Sequence, residues 1–282
     1  MSSAEPTERT RTADDRARAR ADFERKSTEE LFAATLEGED DDDAPWEAVT
    51  VLRLRGGAEV FDQAKLYCGS EDVKARARGL SVLAQLDCSK PDAERPFRTE
   101  CVSIAIEHIR ESDEEIVRCA AWALSHLGTE RAVATLADLR NHPDADVRHA
   151  VANCIELRKH PEGVKILIAL MEDRNEVVRD WATFALGNAG DVTEGGARHF
   201  TNSPEIRAAF RARLDDSYQE ARREAIWGLA LRSDPLGVKL LLKHLESEDW
   251  WNGDEDAAQE LLGVQPDTSI EDLRNGLRRL LE

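Results

Sequence analysis

A segment that recurs every few tens of residues leaves a chain few folds to choose from, because each copy must bury its apolar face against the next. Five segments of this chain align without gaps when anchored on Ala75, Ile116, Val147, Val178 and Ala221: ARARGLSVLAQL, IVRCAAWALSHL, VRHAVANCIELR, VRDWATFALGNA and ARREAIWGLALR. The anchors stand 41, 31, 31 and 43 residues apart. About 31 residues accommodate a helix, a turn, a second helix and a turn. The two longer intervals therefore carry insertions, one around Asp87 to Pro96 and one over Gly190 to Phe200.

Within the segments, small or apolar residues recur at offsets 0, 4, 7, 8 and 11, which in the second copy are Ile116, Ala120, Ala123, Leu124 and Leu127. That spacing is the buried stripe of an amphipathic helix. Alanine suits close helix packing and costs least in a helix. Three residues before the anchors stand Asp72, Asp113, Asp144, Asn175 and Tyr218. The first four are favoured N-cap residues, whose side chains accept from free backbone N–H groups. Between these helices lie partners such as residues 130–140, 161–171 and 204–214, with Pro161 and Pro204 placed for a first helical turn. Each repeat reads as a helical hairpin.

The pattern Val-Arg-x-x-Ala-x-x-Ala-Leu-Gly, complete at Val178, Arg179, Ala182, Ala185, Leu186 and Gly187, resembles the short HEAT-like repeat also found in phycobilisome lyases. The resemblance spans roughly residues 70–246. It implies an all-α solenoid of stacked helical hairpins, curved into a right-handed superhelix with a concave face lined by one helix of each pair. The expected organisation is an N-terminal arm over 1–26, surface-helical or without a fold of its own; capping helices over 27–69; repeats over 70–246; and closing helices over 247–282.

Charge narrows the partners. Lys plus Arg total 38 against 57 Asp plus Glu, a formal net charge of −19. Nucleic-acid binding is disfavoured by that field, since neutralising phosphates calls for a basic footprint. Encounter with a basic protein is favoured. The five cysteines, Cys68, Cys88, Cys101, Cys119 and Cys154, form no C-x-x-C pair, and an odd number cannot all pair within one chain. They read as reduced thiols of a cytoplasmic protein. No apolar run reaches the roughly 18 residues of a membrane span. Metalloprotease, Walker, nucleophile-elbow and dinucleotide-binding motifs are absent from the sequence, and the seven histidines lack metal-ligand spacing. No cofactor, metal or catalytic residue is expected.

Projected at about 100° per residue, offsets 2, 5, 6 and 9 point away from the packed stripe. Offset 6 carries Ser81, Trp122, Asn153, Phe184 and Trp227, and offset 2 carries Ala77, Arg118, His149, Asp180 and Arg223. Large aromatics flanked by charges are what interfaces enrich. Trp122, Phe184, Trp227, Arg118, His149, Asn153, Asp180 and Arg223 are thus the candidate partner-binding residues. The same rings also suit seams between adjacent repeats, where aromatic side chains serve as core. Offset 1 repeats a cation, Arg76, Arg148, Arg179 and Arg222. These read as a structural ladder, each bridging to a capping Asp or a backbone carbonyl of the next repeat. Trp250 and Trp251 read as adjacent residues of a closing helix that cannot face the same way.

The functional expectation is a non-catalytic protein-interaction module, a scaffold, adaptor or inhibitor, whose concave face holds a basic partner. Two alternatives follow from resemblance: a bilin-attachment factor like the phycobilisome lyases, and a nucleic-acid-binding relative of HEAT-like alkylpurine glycosylases.

Overall fold

The computed structural model describes residues 20–38, 42–154, 157, 162–192, 198–247 and 250–282. Residues 1–19 of the N-terminal arm, residues 39–41, His160, Pro161 and residues 193–197 of the second insertion lie outside the described residues. The chain divides between Leu127 and Gly128 into two compact units.

In the first unit, a short helical stretch at residues 20–24 precedes α1 (Thr28–Ala34), α2 (Asp43–Arg55), α3 (Gly57–Cys68), α4 (Val73–Ala84), α5 (Arg98–His108) and α6 (Glu114–Leu127). Helices α1 and α2, α3 and α4, and α5 and α6 pack as pairs, and α4 also packs on α2 and on α6. The second unit runs α7 (Glu130–Asp138), α8 (Ala145–Asn153), α9 (Gly163–Leu170), α10 (Glu176–Gly187), strands β1 (Gly190–Val192) and β2 (Arg198–Phe200), α11 (Pro204–Arg213), α12 (Gln219–Ala230), α13 (Pro235–Glu246), α14 (Asn252–Leu262) and α15 (Ile270–Leu281). There α8, α10 and α12 pack side by side, while α9 lies on α10, and α11 and α13 on α12. The fold is an all-α solenoid.

The repeat helices begin where the cap residues stand. Asp72 accepts from the backbone N–H of Lys74 and Ala75, Asp113 from Glu115 and Ile116, Asp144 from Asp146, and Asn175 from Val177 and Val178. Tyr218 makes no such bond. Each cap is worth about 1 kcal/mol to its helix. Close stacking comes from the small residues. Ala120, Ala150, Ala182, Ala221 and Ala225 are fully buried, and a Cβ on Gly228 would meet the Phe210 ring at 2.4 Å, so only glycine lets α11 lie this close to α12.

Three sequence expectations are corrected. Offsets 5 and 9 do not face outward: Leu80, Ala121, Ala152, Thr183 and Ile226 at offset 5 are all buried, as are Ala84, Ser125 and Ala230 at offset 9. Each of these helices packs against its hairpin partner and against a like helix of the neighbouring repeat, so two flanks are covered and the buried arc is wider than one stripe. Helix α8 ends at Asn153, because Cys154 leaves the helical region and is buried, as is Leu157; residues 155, 156 and 158 of the aligned segment lie outside the described residues. Trp250 and Trp251 precede α14, with Trp250 against the C-terminal core and Trp251 half exposed.

The second insertion forms a small antiparallel hairpin, pairing Gly190 with Phe200 and Val192 with Arg198. It is tied down by Arg232, which is buried and donates to the carbonyls of Thr201 (2.7 Å), Leu186 (2.8 Å), Gly228 (2.9 Å) and Gly187 (3.1 Å). Burial, reinforced by Arg207, pulls its guanidinium down to about 10, so it stays charged at neutral pH. The last carbonyls of α10 have no intrahelical donors, and a cation beside them also meets the negative end of the helix dipole. Replacing Arg232 by Met takes the buried donor away from the Gly187 and Thr201 carbonyls, while Leu186 keeps the Ala189 N–H. The expected loss is on the order of 3 kcal/mol, read as a lower urea midpoint, with Arg232→Lys intermediate because an ammonium lacks the fork.

Candidate functional site

Arginines at offset 1 are turned into the fold. Arg148 grips Asp173 with two bonds (2.6 and 2.8 Å) and donates Nη1 to the carbonyls of His142 and Pro143. Arg179 does the same with Asp216 (2.8 and 2.7 Å) and the carbonyl of Asp173. Arg76 donates to Ser70 and Glu71 carbonyls and pairs with Glu111 at 3.5 Å. Arg222 donates to the carbonyls of Asp216 and Ser217. The acid that accepts is not the capping residue. Asp173 and Asp216 stand two positions before Asn175 and Tyr218 and take those backbone N–H groups as well. Hydrogen bonds and charge from the guanidiniums hold both carboxyls below their ordinary range: in Asp216 the bond from Arg179 leads, while in Asp173 burial pushes the other way and is outweighed.

The candidate binding residues fall into both units. Arg118 and Trp122 belong to the first, on α6, where both are partly buried and the Trp122 ring stacks on His126 at 5.9 Å. The other six lie on α8, α10 and α12 of the second. His149 sits 5.1 Å from Trp181, ring to ring, and Trp181 meets Phe184 edge-on at 5.8 Å. Burial holds the His149 imidazole below its ordinary value, so it is neutral at pH 7. Asn153 joins Trp181 and Phe184 around a cavity of about 230 Å³, with Leu167 and Ala185 among its apolar walls. Phe184 is 41% exposed.

Trp227 is committed inside the fold. Its Nε1–H donates to Asp254 Oδ1 at 2.8 Å, its ring stacks on Trp251 at 5.8 Å, and a Cβ on Gly253 would strike it at 2.4 Å. Asp254 is buried and also accepts the Trp251 backbone N–H. Trp227 thereby fastens the start of α14 to α12. The Arg223 guanidinium lies 5.3 Å over the Trp251 ring.

Sequence reasoning passed over offset 3, which brings Trp181 and Glu224 to the same face. Burial, with Glu220 and Asp216 adding, pushes the Asp180 carboxyl up to about 6, and burial with Asp180 pushes Glu224 up to about 8. Asp180 and Phe184 stand one turn apart on α10, as do Glu220 and Glu224 on α12. The face is thus a patch of aromatic edges bordered by crowded carboxylates. Offset 3 lies on the wheel between offset 6 and the packed stripe, and its unlike residues, Arg78, Cys119, Ala150, Trp181 and Glu224, give no repeating signal. Among the described residues no cluster of His, Cys, Asp or Glu is arranged to hold a metal, and no helix is long and apolar enough to cross a membrane.

Helical hairpins stacked in register, with caps and arginines repeating from one to the next, define the α-solenoid class. The family model of HEAT repeats matches residues 136–197, so that stretch of the solenoid is similar to HEAT repeats. It is 28% identical to Protein YibA of Escherichia coli over 223 residues, 75% of this chain and 72% of the relative. The X-ray structure of Escherichia coli YibA superimposes with a TM-score of 0.68 at 21% identity, covering 97% of this chain and 99% of that one. The complex of CpcE and CpcF of phycocyanin lyase from Nostoc sp. PCC7120 gives 0.50 at 14% identity, over 100% and 98%. At these identities the structural likeness is one of fold.

The crowded carboxylates set a pH signature. A carboxyl whose folded pKa is raised holds its proton more tightly in the native state, so folding is unpenalised below the ordinary value of 4.5 and loses stability as pH rises toward about 8. Glu224→Gln removes that penalty. Its melting temperature is expected to match the wild type near pH 4.5 and to exceed it by roughly 5 °C at pH 8.5, measured by thermal denaturation across the range.

Proposed function

We propose that this chain is a non-catalytic protein-interaction module, a scaffold, adaptor or inhibitor, that engages a basic partner protein across the open face of α8, α10 and α12. The observation that carries this reading is the exposed ring of Phe184 one turn from Asp180 on α10, whose carboxyl is crowded by Glu220 and Asp216. Phe184 has no structural duty comparable to that of Trp227, and exposed aromatics ringed by polar groups are typical anchors of interfaces. Cations that would oppose a basic partner are turned elsewhere: Arg148, Arg179 and Arg222 to acids and carbonyls, Arg213 to the Met171 carbonyl and Asp216. The net charge of −19 speeds encounter with a basic surface. A chain of similar fold, CpcE, occurs in a complex with CpcF, which is a precedent for the fold engaging another protein chain.

The test is affinity capture from the native host with three baits: wild type, Phe184→Asp, and Leu66→Asp, which changes a 68% exposed residue of the first unit. Trp227 is left intact because Asp254 depends on it. A partner captured by wild type and Leu66→Asp but reduced at least about tenfold with Phe184→Asp, and weakened by added salt, is the expected result. A partner held equally by all three baits, or none held by any, overturns the assignment.

A further inference from the structure

The cavity beside Phe184 differs from the rest of this face in being enclosed enough to hold something. Its walls are the rings of Trp181 and Phe184 with Leu167 and Ala185, and Asn153 and Arg198 contribute the polar edge. At about 230 Å³ it falls below the roughly 300–1,000 Å³ of pockets that take whole small-molecule ligands. It is the size for one large side chain. Apolar walls on an otherwise charged surface favour an aliphatic or aromatic group, because an ion would lose hydration there without a paired charge.

Charge fixes what surrounds that side chain. Asp180 stands next to Trp181 in sequence and one turn from Phe184 on α10; its carboxyl feels the charges of Glu220 and Asp216, and Glu224 on α12 in turn feels Asp180. Arg198 at the rim is engaged by Glu260 at 3.7 Å and by the Asn188 carboxamide at 3.3 Å. Arg223 lies over Trp251. A segment crossing the cavity therefore meets the Asp180 carboxylate and the Glu224 carboxyl on one side, both raised by burial and like charge, and lysine or arginine beside the anchor favours the ionised form of each.

We infer that this cavity is the anchor site for one large apolar side chain of a basic partner segment, whose neighbouring lysine or arginine residues lie against Asp180 and Glu224. The inference rests on the proposed interaction face and adds the chemistry of what it recognises: an apolar residue set between cations.

A displayed library of random peptides selected on the full-length protein tests it, followed by calorimetric titration of the recovered peptides. Recovered sequences are expected to place Leu, Phe or Trp next to Arg or Lys. Ala185→Leu, which fills the cavity while keeping a helix-forming apolar residue, is expected to weaken those peptides at least about tenfold and to make the apolar residue replaceable by Ala without further loss. Asp180→Asn/Glu224→Gln is expected to remove the preference for cations and leave the apolar preference. Both variants are checked for native helicity by circular dichroism, and Ala185→Met serves if the leucine variant unfolds. Cation-rich peptides without an apolar preference, lost in Asp180→Asn/Glu224→Gln, would overturn the anchor site and leave the binding face standing. Peptides bound equally by every variant, or no peptide selected by wild type, would overturn both.

Discussion

Short helices stacked side by side create more helix ends than a globular domain of the same length, and every end exposes backbone groups with no intrahelical partner. Water solves this at a surface; between packed repeats a side chain must. Here arginine does so repeatedly. Arg78 reaches the Thr35 carbonyl after α1, Arg53 the Ser81 carbonyl in the last turn of α4, Arg98 the end of α6 at Leu127, Arg213 the Met171 carbonyl after α9, Arg232 the end of α10, and Arg274 the end of α13 at Leu245. A planar fork of five donors satisfies several carbonyls at once, which lysine does not. The preference for arginine over lysine in an acidic chain has a structural cause in these contacts.

That use of arginine shapes the electrostatics. Cations held at helix ends are offset by the carbonyls and acids that hold them, and carboxylates left on the open face have fewer partners. Asp180 and Glu224 show the result, since burial beside like charges raises both. Carboxylates kept against their ordinary ionisation destabilise the fold somewhat. Such strain is commonly found where a surface binds something that relieves it.

The aromatic residues divide by the work they do. Trp227 has its N–H on a buried carboxylate and its ring against Gly253, so it belongs to the packing of the C-terminal helices. Phe184, at the same offset one repeat earlier, has no polar atom and no glycine to cover, and its ring leans on Trp181 while staying 41% exposed. Equal positions in a repeat thus receive unequal surroundings, because the C-terminal unit packs α14 against α12 while α10 ends in a β-hairpin.

The sequence by itself determined the helical hairpins, their N-caps at Asp72, Asp113, Asp144 and Asn175, and the buried stripe, because these depend on local spacing and on hydrogen bonds within a few residues. It displayed the candidate row at offsets 2 and 6 but not the neighbouring column with Trp181 and Glu224, whose residue types do not repeat. Only the tertiary structure decided that offsets 5 and 9 are covered, that Asp173 and Asp216 take the arginines, that Arg232 in an apolar column caps α10, and that Trp227 turns to Asp254. Each of these joins groups 25 or more residues apart. Their partners are set by how one hairpin settles on the next, and no periodicity within a single helix records that.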